Sequence, residues 1–260
     1  MIKLINDDCI IAMNKLIDDG VKVDMILTSP PYDNLRTYED TLVWNEDIWK
    51  QVIFKCFDIL KDSGVMVWVV GDATIKGSET GTSFKQALYA KEVGFNLHDT
   101  MIYQKKSCYA HDLRNKRYKH IFEYMFVLSK GTPKTYNEIK DEPVLNYGKI
   151  YSGGKGRNKN GELRKSRSFS MNEFQARYNI WRISTDHRSM HPAIFPEKLA
   201  YDHIVSWSNE NDLILDPFMG SGTTGKVAKE LNRNFIGIEL VEQYFNIAKD
   251  RINTNNNLFS

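Results

Sequence analysis

The constraint that most narrows the fold is a repeated alternation of short apolar runs with helix-length segments. Seven runs stand out: Ile2–Ile5, Val23–Leu27, Val65–Val70, Met101–Tyr103, Tyr124–Leu128, Leu213–Leu215 and Phe235–Ile238. Each is short and nearly continuous, as expected of strands buried on both faces of a parallel sheet. Between them lie helical stretches at Cys9–Ile17, Asp47–Leu60, Ser83–Val93, Glu197–Trp207, Thr224–Leu231 and Gln243–Ile252. Strands alternating with helices predict an α/β architecture with a doubly wound sheet. Residues 131 to about 185 break the rhythm, being rich in Lys, Arg, Gly, Asn and Ser, and read as an inserted or appended region. A chain of 260 residues is long enough for one such domain with an insertion.

In an open α/β sheet the chemistry gathers at the carboxyl ends of the strands. Three strands here end in unusual sequences. One runs into Thr28-Ser29-Pro30-Pro31-Tyr32, one into Asp216-Pro217-Phe218-Met219-Gly220-Ser221-Gly222-Thr223-Thr224, and one ends at Glu239. The segment Gly220 to Lys226 fits the G-x-x-x-x-G-K portion of a phosphate loop, but Val227 stands where the magnesium-binding hydroxyl belongs. Asp216 at the loop's mouth would repel phosphate and attract a cation, such as the sulfonium and ammonium of S-adenosylmethionine. Gly220 and Gly222 allow close approach of backbone to ligand, and the helix can begin at Thr223 or Thr224. Glu239 follows Gly220 by nineteen residues, the offset at which an acid in a βαβ unit holds ribose hydroxyls.

The paired prolines fix φ twice, remove two backbone donors and leave carbonyl acceptors facing outward. Such a rim suits a planar substrate bearing an NH2 group. Tyr32 can stack on its ring, while the Pro30 carbonyl and the Ser29 side chain accept the amino hydrogens. Acceptors that favour a tetrahedral nitrogen make a conjugated amine more nucleophilic, most strongly in a water-poor pocket. Ser29, Pro30, Pro31 and Tyr32 are therefore the candidate catalytic residues. A packing turn is the plainer alternative for an isolated Pro-Pro pair.

Charge and cysteine usage exclude other classes. A net charge of +2 does not by itself mark a nucleic-acid binder, but its distribution is uneven. Lys149 to Arg167 holds seven basic residues and one acid, Glu162, with five glycines from Gly148 to Gly161. This stretch is either a solvated loop or a segment that follows a phosphate backbone through Lys155, Arg157, Lys159, Arg164, Lys165 and Arg167. Residues 105–120, basic around Tyr109 and Tyr118, offer the same two readings. Cys9, Cys56 and Cys108 are scattered, which argues against a disulfide framework or a zinc site. His187 and His191 are four apart but lack a third ligand nearby, so no metal is expected. No apolar run approaches membrane-spanning length and the amino terminus lacks a signal-peptide core, so a cytoplasmic protein is expected.

The two loops together resemble those of the DNA amino-methyltransferases, which act on adenine N6 or cytosine N4. The order of segments, with Pro-Pro-Tyr first, a variable region next and the glycine loop near the carboxyl terminus, is similar to the β-type permutation. His191-Pro192-Ala193-Ile194-Phe195-Pro196-Glu197-Lys198-Leu199 resembles the segment packed beside the cofactor's methionine moiety, and Leu4 to Cys9 the first strand, whose acid, Asp8, lies near the adenine. Phe122 to Lys130 is similar to the last strand before the recognition region. The resemblance implies a doubly wound, seven-stranded Rossmann-like methyltransferase sheet with a small variable target-recognition region. Residues 1–130 would form the catalytic half, 131–185 the recognition region and 186–260 the cofactor half. S-adenosylmethionine is the implied cofactor, bound by Asp8, Phe195, Asp216, Phe218, Gly220, Ser221, Gly222, Thr223 and Glu239. The implied partners are duplex DNA, with its target base flipped out onto Tyr32, and in a restriction system a cognate endonuclease; the protein would act as a monomer or homodimer. Ser in the first position of Ser-Pro-Pro-Tyr favours cytosine N4, its hydroxyl serving both the amino group and the ring N3, with adenine N6 as the alternative. A cytosine-C5 enzyme is disfavoured because none of the three cysteines follows a proline.

Overall fold

The computed structural model describes residues 1–32, 44–106, 116–152, 157, 159–162, 168–184 and 195–254. The elements are β1 (Ile2–Asn6), α1 (Cys9–Asp18), β2 (Val23–Thr28), α2 (Glu46–Ile59), β3 (Leu60–Val70), β4 (Thr74–Ile75), β5 (Ser78–Glu79), α3 (Thr82–Val93), β6 (Asn96–Lys105) and β7 (Phe122–Ser129). They continue as β8 (Lys140–Pro143), β9 (Ile150–Ser152), β10 (Ser168–Ser170), β11 (Phe174–Ala176), β12 (Ile180–Ile183), α4 (Glu197–Trp207), β13 (Leu213–Asp216), α5 (Thr223–Glu230), β14 (Asn234–Glu239) and α6 (Glu242–Asn253). The chain divides into two compact units, one of residues 1–137 with 179–260 and the other of residues 138–178.

The larger unit is built on an eight-stranded sheet in the order β1-β14-β13-β2-β3-β7-β6-β12. Every pairing is parallel except those of β7, which is antiparallel to both β3 and β6. Side chains alternate between two cores. On β3, Met66, Trp68 and Val70 pack with α1, α2 and α3, while Val65, Val67 and Val69 pack with α4, α5 and α6. Coverage of both faces explains why these strands read as unbroken apolar runs rather than as alternating patterns. Local signals start the helices. Asp8 accepts from the Ile10 and Ile11 amides to open α1, and Asn45 accepts from the Ile48 amide to open α2.

The sheet has one strand more than the seven expected. β12 lies within the stretch expected to be the recognition region, yet it pairs with β6 and buries Trp181 and Ile183. Its neighbours Ile180 and Arg182 are exposed, so the strand carries only two buried residues, too weak a pattern to read as an apolar run. Likewise β6 extends well beyond Met101–Tyr103, because its first half alternates between exposed and half-buried positions.

The smaller unit contains two antiparallel pairs, β8 with β11 and β9 with β10. An ion pair between Arg177 and Asp141 joins the ends of the β8–β11 pair. Among the described residues, no helix is long and apolar enough to cross a membrane.

The indole N–H of Trp68 donates to Gln86 Oε1 at 2.9 Å, tying the sheet to α3 with both residues almost fully buried. Trp68→Phe removes that donor, leaves the acceptor without its partner and opens a void. The combined cost is roughly 2–4 kcal/mol. The melting temperature should fall by about 5–10 °C; a variant that melts with the parent would show that the bond contributes nothing.

Candidate active site

β2 and β13 are neighbours, with Met25 opposite Ile214 and Ile26 opposite Leu215. From β2 the chain passes through α2 to β3 on one side, and from β13 it passes through α5 to β14 on the other. Connections that depart in opposite directions, over opposite faces, leave a crevice at the carboxyl ends of these two strands. The Ser29–Tyr32 loop and the Asp216–Thr224 loop both begin there.

A single carboxylate joins them. Thr28 Oγ1 donates to Asp216 Oδ1 at 2.8 Å, Thr224 Oγ1 donates to Oδ2 at 2.7 Å, and the Phe218 amide donates to Oδ1 at 3.1 Å. Asp216 is 4% exposed. Burial pushes its carboxyl up to about 6, against the opposing hydrogen bonds from Thr224, Thr28 and the Phe218 amide. Thr28 precedes the Ser-Pro-Pro-Tyr segment, so the strand that carries the candidate target loop also holds the acid of the candidate cofactor loop.

Glu239 ends β14. Its Oε2 accepts from the Gly220 amide at 2.9 Å and its Oε1 from the Val241 amide at 2.9 Å, and burial raises its carboxyl above the usual range. On β1, Asn6 Nδ2 donates to the Glu239 carbonyl at 2.8 Å, and Asp8 caps α1 with its carboxylate. Gly220 and Gly222 both have positive φ, 52° and 81°, but the space around them differs. A Cβ at Gly220 would meet nothing nearer than the Phe218 carbonyl at 4.0 Å, leaving the loop approachable from that side. At Gly222 it would press on Ala248 Cβ at 2.9 Å, so this glycine is also required by the close packing of α6. Phe218 meets Trp44 edge to face at 5.4 Å.

Arg251 on α6 anchors the outer side of the loop. It donates to Ser221 Oγ at 3.2 Å, Thr223 Oγ1 at 3.0 Å and Glu197 Oε1 at 2.6 Å. Burial acts to raise the Glu197 carboxyl, yet hydrogen bonds from Lys226 and Arg251 hold it below its ordinary value. Lys226, the lysine a phosphate loop would need, bonds Glu197 at 2.9 Å. That engagement removes the remaining support for a phosphate loop.

In the target loop, Ser29 Oγ lies 3.0 Å from Tyr32 Oη, and Tyr32 Oη donates to Glu123 Oε2 at 2.9 Å. Glu123, at the start of β7, is ion-paired with Lys105 at the end of β6 at 2.6 Å. The Tyr32 ring lies beside Gly71, where an added Cβ would stand 3.6 Å from it. Neither Glu123 nor Lys105 carries a motif that marks it for this site; antiparallel β7 brings its first residues to the edge where β2 and β3 end.

The remaining expected residues are more dispersed. Phe195 stands two residues before α4 and packs on the core beneath α4–α6, while His187 to Ile194, including His191, lie outside the described residues. Arg157 and Lys159 are exposed in the smaller unit, with Arg157 Nη1 donating to the Gly161 carbonyl at 2.9 Å. Lys155, Arg164, Lys165 and Arg167 lie outside the described residues, as do Cys108, Tyr109 and Arg114. Arg117 is bound to Glu79 and to the Gly77 carbonyl, beside a fully exposed Tyr118. Cys9 is buried, which pushes its thiol up to about 12, and Cys56 is buried as well, so neither is a poised nucleophile. No cluster of metal-binding side chains occurs among the described residues.

The donor set fits S-adenosylmethionine. Asp216 and Glu239 are two desolvated carboxyls on adjacent strands near an approachable Gly220, and the charge of Glu239 adds to the rise of Asp216. A positively charged ligand relieves their mutual repulsion, whereas a phosphate would add to it.

Comparison with known proteins agrees. Residues 23–250 match a family model for DNA methylases that covers N6 and N4 methylation. The orphan methyltransferase M.BamHII of Bacillus amyloliquefaciens is 50% identical over 240 residues, spanning 88% of each chain. The type II methyltransferase M.SmaI of Serratia marcescens is 29% identical, over 90% of this chain and 85% of its own. Among solved structures, the M1.HpyAVI–SAM complex superposes with a TM-score of 0.69 at 24% identity, covering 97% of this chain and 100% of that one. The cytosine-N4-specific PvuII DNA methyltransferase gives 0.68 at 22% identity, covering 98% and 87%. This chain belongs to the N6/N4 DNA methylase family. It is a DNA methyltransferase with a Rossmann-like fold, and the family's methyl donor is S-adenosylmethionine.

Burial of Asp216 has a testable consequence for the free protein. Its folded carboxyl binds a proton more tightly than the unfolded one, so its stabilising contribution is complete below about pH 4 and is lost as pH rises through about 6. Asp216→Asn keeps the shape and is neutral at all pH values. Its melting temperature relative to the parent should rise between pH 4 and pH 7 and then level off. A difference independent of pH would contradict the raised carboxyl.

Proposed function

We propose that this protein transfers the methyl group of S-adenosylmethionine to the exocyclic N4 of a cytosine turned out of duplex DNA. The observation that carries this reading is the 2.8 Å bond from Thr28 to Asp216, which sets the two loops side by side at the sheet's crevice. The cofactor, when bound, supplies an electrophilic methyl on a sulfonium. Asp216, Glu239 and Phe218 form its cradle, with Gly220, Ser221, Gly222 and Thr223 shaping the loop and Asp8 and Phe195 at its margins.

On the other wall, Ser29 and the Pro30 carbonyl accept the hydrogens of the target amino group while Pro31 stiffens the turn and Tyr32 stacks on the base. Exocyclic base nitrogens are weak nucleophiles, because their lone pair is shared with the ring. Fixed acceptors in a water-poor pocket localise that pair, and alignment against the methyl supplies the remaining advantage. Chemistry on a base inside a duplex requires extrusion of that base from the stack. Backbone contact falls to the basic residues between Lys149 and Arg167, of which Arg157 and Lys159 are exposed. Of residues 131–185, those of the smaller unit, 138–178, act as the target-recognition region in this scheme, since β12 belongs to the main sheet, with 1–130 and 186–260 as the catalytic and cofactor halves.

Two observations support cytosine: Ser29 as the first residue of Ser-Pro-Pro-Tyr, and the structural likeness to a cytosine-N4-specific enzyme. The decisive experiment incubates the protein with methyl-labelled cofactor and mixed-sequence duplex DNA, then digests the DNA to nucleosides. Label should migrate with N4-methyl-deoxycytidine. Label in N6-methyl-deoxyadenosine would reassign the target base, and DNA that stays unlabelled would overturn the reading.

A further inference from the structure

Glu123 lies outside both loops, yet its carboxylate is joined to the target loop through Tyr32. Tyr32 Oη lies 2.9 Å from Glu123 Oε2 and 3.0 Å from Ser29 Oγ, and Lys105 Nζ lies 2.6 Å from Glu123 Oε1. These contacts have a defined direction. A carboxylate ion-paired with lysine has no proton to give, so Tyr32 must donate to Glu123. A phenol carries one hydroxyl proton, so the bond between Ser29 and Tyr32 is then donated by Ser29. The serine's own proton is thereby committed, and only its oxygen lone pairs remain to face a substrate.

We propose that the chain from Ser29 through Tyr32 to Glu123 is a one-way hydrogen-bond relay that makes Ser29 solely an acceptor for the target amino group. Glu123 is a positioning residue acting through Tyr32, and Lys105 holds Glu123 in place. This inference rests on the amino-methyltransferase reading above and refines it. Ser29 then serves the NH2 hydrogens alone, not a ring nitrogen, which narrows the dual role expected from the hydroxyl. The polarity also suits catalysis, because a charge-assisted chain strengthens the terminal acceptor as positive charge develops on the attacking nitrogen.

Geometry favours this arrangement over incidental contact. Glu123 pairs with Tyr103 in the β6–β7 register, one residue beyond the point where Val70 of β3 faces Tyr124. The Glu123 side chain is 14% exposed, and the Tyr32 ring lies within van der Waals range of a Cβ placed at Gly71. The phenol thus reaches Glu123 between the ends of two strands.

The test measures single-turnover methyl transfer to duplex DNA together with equilibrium binding of S-adenosylmethionine and of DNA. Tyr32→Phe removes one oxygen and keeps the ring; Glu123→Leu removes the acceptor; Glu123→Gln keeps an acceptor oxygen without the charge. Tyr32→Phe and Glu123→Leu should each slow transfer by about tenfold or more, the size of one charge-assisted hydrogen bond, with both affinities unchanged. Glu123→Gln should recover part of the rate, and Tyr32→Phe combined with Glu123→Leu should be no slower than Tyr32→Phe alone. Parental rates in both single variants, multiplying defects in the pair, or a glutamine variant as slow as the leucine variant would each overturn the relay. Should Glu123→Leu fail to fold, Tyr32→Phe alone decides, since a parental rate there removes the relay. If the parent labels DNA amino groups while the variants match it, only the relay falls. If the parent labels no amino group, the proposed function falls first.

Discussion

One buried carboxylate holds this site together. Asp216 sits at the end of β13 with three donors around it, and one of them, Thr28, belongs to the neighbouring strand. A carboxylate removed from water is tolerated only where hydrogen bonds or opposite charge replace hydration. Thr28 and Thr224 meet part of that need, while burial acts to hold the Asp216 carboxyl above its ordinary range. The residual demand for positive charge is what a sulfonium or ammonium group can satisfy. The same bond that stabilises the acid fixes the start of the proline-rich loop, so the two walls of the crevice are positioned by one interaction.

Strand order makes that interaction available. β2 and β13 are almost two hundred residues apart in sequence, Asp216 following Thr28 by 188 positions, yet they are adjacent because the chain winds outward from them in opposite directions. Each loop leaves its strand at the same edge. β7, reversed relative to its neighbours, brings its amino end to that edge instead of its carboxyl end. A carboxylate that a uniformly parallel sheet would place at the far side, Glu123, therefore arrives beside Tyr32.

Much of this was legible in the chain, and the omissions have identifiable causes. Doubly buried strands announce themselves as apolar runs, and the Ser-Pro-Pro-Tyr and Asp-Pro-Phe-Met-Gly-Ser-Gly loops stand out because their backbone requirements are severe. The edge strand β12 escaped notice because only Trp181 and Ile183 of its four residues are buried. The pairings of Thr28, Glu123, Lys105 and Arg251 were not legible, because ordinary polar residues at strand ends or on a helix acquire such roles only through partners distant in sequence. Gly222 carries a second requirement that no local pattern reveals, the close packing of Ala248 on α6.

If the two loops are one pocket, a change on the target-loop strand must be felt by the cofactor. Thr28→Val is nearly isosteric and deletes only the hydroxyl that reaches Asp216. Calorimetric titration of S-adenosylmethionine into this variant should show affinity weakened by about tenfold, consistent with loss of a hydrogen bond to a buried carboxylate. Affinity equal to the parent's would contradict the coupling and separate the two walls of the site.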